Sequence, residues 1–345
     1  MAYTTINKST DHFNTKLYAG NGGTNNITGV GFQPDWVWIK KRNVTESHAL
    51  FDSVRGVTKR LHSNGTGAEE TNTNTLTSFD SDGFTVGTNT GVNGNLLASW
   101  NWKANGAGSS NSDGSQSSTV SVNTAAGFSI VKYTGYGAAT YGHGLGTTPQ
   151  MIIIKKLNSS DDWFVYHHKL LTPGATQKQF ILLNSNAALA SNGSATTFTS
   201  VSNSTFGVGT DDKISESGDS FIAYCFAEKT GYSKFGSFKS NNNTNGTFIY
   251  TGFKPSFFMV KRSGGAGNWH MYDNKRYGYN DANYRLRAET TGVEESSASD
   301  KIDILSNGIK IRSNQTSLNN HTGDMIYMAF GQSLIGSNNV PCTAR

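Results

Sequence analysis

Short apolar runs recur along the chain, separated by clusters of Gly, Asn, Asp, Ser and Thr. WVWIKK (36–41), MIIIKK (151–156), FFMVK (257–261), LLASWNW (96–102) and SFIAYCF (220–226) are rich in β-branched and aromatic side chains. Each is short and bounded by turn formers, so each predicts a strand rather than a helix. HALFD (48–52), WFVYH (163–167) and WHMYD (269–273) alternate large and small side chains and predict further strands. A few helical turns are expected, for example over SVRGVTKRLHS at 53–63.

The runs repeat with a period of about 110 residues. Pro34, Pro149 and Pro255 each lead an apolar run that ends in Lys40, Lys155 or Lys261, six positions on, and a second basic residue follows as Lys41, Lys156 or Arg262. Pro can open a strand but not continue inside one, and the apolar run then reads as a buried strand. The basic pair reads as its exit to solvent. Fourteen residues after each Pro stands His48, Trp163 or Trp269, and eighteen after it stands Asp52, His167 or Asp273. Turn-and-strand patterns follow at SDGFTVG, NSTFGVG and SNGIKIR, and closing strands at LLASWNW, SFIAYCF and MIYMAF.

The chain is therefore expected to be all-β: three tandem antiparallel β-sandwich domains, jelly-roll or lectin-like, of seven or eight strands each. The expected boundaries are 1–103 for the first, a Gly/Ser-rich linker at 104–118, 119–229 for the second, 230–331 for the third, and a polar tail at 332–345. The last two meet with almost no linker, so they are expected to pack together.

Composition narrows the class. Gly numbers 39 and charged residues are 15 % of the chain, which disfavours helical bundles, while 11 % aromatics disfavour disorder. The net charge of +5 invites a nucleic-acid reading, but the positive residues mostly stand one or two at a time with no basic arm, so no nucleic-acid partner is expected. Cys225 and Cys342 are too few for a disulfide framework, and Cys225 reads as a small buried hydrophobe. The N-terminus lacks a signal-peptide core and no window is apolar enough for a membrane span.

Chemistry-bearing motifs are sparse. There is no phosphate loop, no nucleophile elbow and no zinc spacing, and DSDG at 80–83 reads as a tight turn rather than a calcium loop. Glu69-Glu70 and Glu294-Glu295 are paired carboxylates that do not recur in the second repeat. No catalytic residue, cofactor or metal is assigned, and the chain is not expected to be an enzyme. One candidate site remains. Trp163, Tyr166 and His167 with Trp269, Tyr272 and Asp273 would suit a glycan-binding platform, aromatic faces stacking on sugar rings. The competing reading places these positions in the sandwich core, since packing is what repeated units share.

The wording of the repeats, in YTTINKSTDHFNTKLYAGNGGTNNITGVGFQPDWVWIKKRN, LTSFDSDGFTVG, SWNWKANG, GFSIVKYTGYGAATYGHGLGTTPQMIIIKK, YCFAEKTGYSKFGSF and LSNGIKIR, resembles a family of virion-associated proteins of marine bacteriophages. Such proteins are described as tail-fibre-like or as resembling lectin sandwiches. The resemblance covers nearly the whole chain and implies a virion structural role, as tail fibre, tail tip or capsid decoration, with host-surface glycan binding as a further expectation. It implies synthesis in a host bacterial cytoplasm, other virion proteins as partners, and a homo-oligomer, a trimer being favoured. It carries over no catalytic residues. The third repeat departs from the pattern by closing with AFGQS, which predicts a changed edge, and the first sandwich begins almost at once, which predicts either a terminal module held by another protein or a decoration protein seated on the virion by its domain faces. A carbohydrate-binding lectin is the alternative, which requires exposed Trp163 or Trp269. A glycan depolymerase, third in order, requires two carboxylates facing one groove.

Overall fold

A computed structural model describes residues 4–170, 179–191, 196–276, 280, 284–296 and 301–335, and they form an all-β body of antiparallel sheets. The first segment contains β1 (Phe13–Ala19), β2 (Asn25–Thr28), β3 (Trp36–Lys41), β4 (Ala49–Asp52), β5 (Lys59–Arg60), β6 (Glu70–Thr71), β7 (Leu76–Asp80), β8 (Gly83–Val86) and β9 (Leu96–Trp102). Two strands follow, β10 (Ser109–Asn111) and β11 (Ser118–Asn123). The second segment contains β12 (Phe128–Thr134), β13 (Ala139–Gly142), β14 (Met151–Lys156), β15 (Trp163–His167), β16 (Gln179–Leu182), β17 (Ala190–Ser191), β18 (Phe198–Val201), β19 (Thr205–Val208) and β20 (Ser220–Phe226). The third contains β21 (Ser233–Lys239), β22 (Phe248–Tyr250), β23 (Lys254–Arg262), β24 (Trp269–Asp273), β25 (Tyr284–Arg287), β26 (Glu295–Ser296), β27 (Ile302–Leu305), β28 (Gly308–Ile311) and β29 (Asp324–Gln332).

Strand order recurs element for element. The larger sheets run β1-β9-β3-β4, β12-β20-β14-β15-β16-β17 and β21-β29-β23-β24-β25-β26. In the first segment β5 and β6 pair separately, joined to β4 by a bridge between Leu50 and Leu61. The smaller sheets run β2-β8-β7, β13-β19-β18 and β22-β28-β27.

Alternation along the strands gives each larger sheet two apolar faces. Val37 and Ile39, Ile152 and Ile154, and Phe258 and Val260 face the smaller sheet of their own segment. Their neighbours Trp36 and Trp38, Met151 and Ile153, and Phe257 and Met259 face the other way, into one core shared by all three segments. There Trp36 stacks on Tyr224 at 4.3 Å between ring centroids, Phe13 on Phe330 at 5.1 Å, and Phe226 meets Phe330 at 6.1 Å. Aromatic stacking at these distances adds to the burial of three sheets that cover one another. Each segment is thus a sandwich on one side and a third of a common core on the other.

Three expectations are corrected. Residues 53–57 form a turn, not a helix: the Asp52 carboxylate accepts the backbone N–H groups of Val54 and Arg55, and Gly56 follows with φ of 89°. The 104–118 stretch is no free linker. Asp35 accepts the N–H groups of Ala104 and Gly106, and β10 and β11 extend the second segment's larger sheet by pairing onto β12. Lys40, Lys155 and Lys261 do not emerge into solvent but are fully buried. They share a strand face with Trp38, Ile153 and Met259, and that face is covered by a neighbouring segment rather than by water. The departure at AFGQS has a use: Gln332 accepts the Ser9 N–H and donates to the Asn7 carbonyl, tying the N-terminal residues to β29. Of the tail, residues 336–345 and with them Cys342 lie outside the described residues.

Candidate functional site

The recurring polar residues gather at the junctions between segments, and they bond in a cyclic order. Lys40 donates to its neighbour carbonyl, Lys41 O, and to Thr291 O of the third segment. Lys155 donates to Lys156 O and to Thr66 O of the first. Lys261 lies within 3.2 Å of four carbonyls, two of them Asn186 O and Ala187 O of the second. Each lysine thus holds a loop of the preceding segment. The backbone repeats the pattern twelve residues after each leading Pro: the N–H of Glu46 donates to Thr291 O, that of Asp161 to Thr66 O and that of Gly267 to Asn186 O. In return, Glu294, Glu69 and Leu189 donate to the carbonyls of Arg42, Leu157 and Ser263.

Burial pulls Lys40, Lys155 and Lys261 down to about 8, chiefly by desolvation. They remain ammonium groups at neutral pH, with N–H donors aimed at carbonyl oxygens, which keeps the buried charge hydrogen-bonded.

The six residues expected as a glycan platform are all buried. Trp163 and Trp269 are 0 % and 1 % exposed, and their indole N–H groups donate to His62 O and Leu182 O of the preceding segment. His48, at the same offset, accepts from Trp38 Nε1 on Nδ1 and faces Arg287 O with Nε2. Tyr166 packs in the second segment's sandwich core and Tyr272 in the third's. His167 and Asp273 are turned to the following segment. Neither indole is free to stack on a sugar, because the shared core occupies the ring faces.

Asp52, His167 and Asp273 form the second set of junction contacts. Asp52 accepts the Tyr224 hydroxyl at 2.8 Å, and Asp273 accepts Trp100 Nε1 at 3.1 Å. Each carboxylate also carries a buried arginine, Arg55 at 2.5 Å and Arg276 at 2.6 Å. At the remaining junction the residue facing inward from the closing strand is Met328, which has no donor. There His167 replaces the carboxylate, Leu170 replaces the arginine, and His167 Nε2 meets Tyr327 O at 3.2 Å. The three positions differ as a set, and Asp52, His167 and Asp273 each meet a partner across their junction. Nδ1 of His167 accepts the Lys169 N–H, which fixes the neutral tautomer; burial lowers the imidazole to about 3, and His48 is held well below its ordinary value in the same way.

The paired carboxylates are ion-pair partners. Arg42 binds Glu294 through two hydrogen bonds of 2.8 and 3.0 Å between the first and third segments. Glu69 meets Arg55 and Lys59, Glu70 meets Arg60 and His62, and Glu295 meets Arg285 and Arg287. Among the described residues no three His, Cys, Asp or Glu side chains converge as metal ligands. No helix among them is long and apolar enough to cross a membrane. Cys225 is free and buried, its thiol raised by desolvation.

A family model described as a domain of unknown function, DUF7483, matches residues 8–333. The chain belongs to this family. The DUF7483 match spans all three segments and the 104–118 connection, so the unit it defines includes all three. No curated protein and no solved structure matches the chain.

The arginines of the carboxylate pairs and the junction carbonyls were missed by sequence reasoning. The signal for them was present in the fixed offset of a lysine inside an otherwise apolar run, which a solvated strand end does not require.

Proposed function

We propose that this DUF7483 chain is a virion structural protein, of the tail-fibre, tail-tip or capsid-decoration kind, built as an internal triplication whose three sandwiches act as one rigid display scaffold. The observation that carries this reading is the cyclic set of junction bonds: the same offsets from Pro34, Pro149 and Pro255 bond across all three junctions in one rotational sense. A display protein needs a body that holds shape while its outer loops vary, and buried polar locks between covered sheets supply that. The trimer expected from sequence is, in this proposal, internal. The apolar faces that would be buried between chains in a homotrimer are buried here between segments.

Locating the chain in purified particles by cryo-electron microscopy tests this. Density of a three-lobed body on the shell in many copies assigns a decoration role, and density at the tail tip assigns attachment. Purified particles without the chain overturn the proposal.

A further inference from the structure

The three segments share their junction chemistry, so side chains that only one of them carries stand out. Phe248 and Tyr250 on β22 are 43 % and 55 % exposed, with Ile249 between them turned into the core at 3 %. Register against the neighbouring strand places Asn26 and Thr28 at the same positions in the first segment, and Thr140 and Gly142 in the second. The fold therefore does not need aromatics there. Tyr136, alone on its loop, is the other exposed ring among the described residues.

The two rings stand two residues apart on one strand face, roughly 6.6 Å along the strand. They border a groove of about 450 Å³ at the junction of the second and third segments. Its polar lining offers donors and acceptors from His168, Lys169, Glu228, Lys234 and Ser237. Tyr327 lies across the floor, and only glycine at 236 permits this, since a Cβ there would come within 2.5 Å of the Tyr327 hydroxyl. The first and second segments pair Lys16 with Ser99 and Val131 with Ala223 at this place, so the aromatic floor is also confined to the third. A second cleft of about 300 Å³ shares Lys169 and Ser237 with it.

We propose that this groove binds an oligosaccharide, with Phe248 and Tyr250 stacking on successive sugar rings. Aromatic faces carry negative potential that attracts the polarised C–H groups of a pyranose face, while flanking charged and hydroxyl groups bond its hydroxyls. The volume is that of a small-molecule site, and two rings on one strand face offer a stacking surface to each of two successive sugars. A protein partner fits less well. Stable protein interfaces bury about 800 Å² per partner around an apolar centre, and here two rings are ringed by charge. The inference does not depend on the virion assignment.

The test uses the whole chain on an array of neutral, uronic-acid and sulfated tetra- to hexasaccharides, with the strongest binder followed by saturation-transfer NMR. The double variant Phe248→Ala/Tyr250→Ala should lose at least tenfold in affinity with an unchanged melting temperature, both side chains being exposed. Asn26→Ala/Thr28→Ala on the corresponding strand should bind as the parent does. Absence of binding by the parent to every glycan overturns the proposal, as does undiminished binding by the double variant. Loss of incorporation into particles with sugar binding intact would assign the rings to a protein contact and overturn it too. A chain found in particles that binds no glycan removes this inference and leaves the virion assignment standing.

Discussion

One oxygen of the Asp52 carboxylate, Oδ2, accepts both the Tyr224 hydroxyl at 2.8 Å and the Arg55 guanidinium at 2.5 Å, with all three side chains buried between the first two segments. Removing the hydroxyl in Tyr224→Phe should cost about 1.5–3 kcal/mol in urea unfolding, the range for a hydrogen bond to a charged partner. Asp52→Ala leaves a buried arginine with only Glu69 to balance it and should cost about 3–5 kcal/mol. An Asp52→Ala protein as stable as the parent would show that the junction is not held this way.

Joint change of three positions at the remaining junction gives a sharper expectation. Asp52→His, Arg55→Leu and Tyr224→Met transplant the His167, Leu170 and Met328 set into the first junction. Each single change should destabilise, and the triple variant should recover most of the summed loss, a non-additivity expected only of groups that bond to one another. Strict additivity of the three costs counts against the coupling.

The buried lysines predict a graded series. Lys261→Met gives up contacts to four carbonyls and Lys40→Met contacts to two, so the first should lower the urea midpoint more than the second. Losses of about 1–3 kcal/mol are expected, as buried carbonyls are left without donors. A gain in stability on Lys261→Met would mean that desolvation of the ammonium outweighs its bonds.

Acid should loosen the junctions. The folded values of His48 and His167 lie below the unfolded one near 6.5, so their contribution is complete above that pH and is lost as pH falls below it. The geometry gives the cause: protonation at Nδ1 sets an N–H against the Trp38 indole N–H in one case and the Lys169 N–H in the other. Glu289, raised to about 7 by burial, opposes this with a contribution that is full below its unfolded value and lost as pH rises toward 7. His167→Gln should flatten the fall in melting temperature between pH 6.5 and 4 relative to the parent. At the alkaline end, lysines lowered to about 8 add stability as pH rises from 8 toward their unfolded value, until the unfolded chain's tyrosines ionise near 10 and reverse the trend.

Much of the strand pattern was legible in the sequence. Trp36–Lys41 and Met151–Lys156 read as buried strands, and the leading prolines mark their starts. What the sequence concealed was the covering of the second face. Lys40 at the end of WVWIKK reads as an exit to water when one sandwich is considered alone, because nothing local announces that Thr291, some 250 residues away, supplies the carbonyl that receives it. The same holds for Trp163 and Trp269, whose indole N–H groups look like handles for a ligand until the carbonyls of His62 and Leu182 are seen opposite them. The 104–118 stretch misled for another reason: Gly, Ser and Asn compose free linkers and tight turns alike, and Asp35, far back in the chain, ties this one down.

Whole-chain calorimetry joined to urea unfolding tests the central claim most directly, since a core shared by three segments makes their folding a single event. One transition, with calorimetric and van't Hoff enthalpies equal, is the predicted result. Two or three separable transitions, each assignable to one segment, would contradict it.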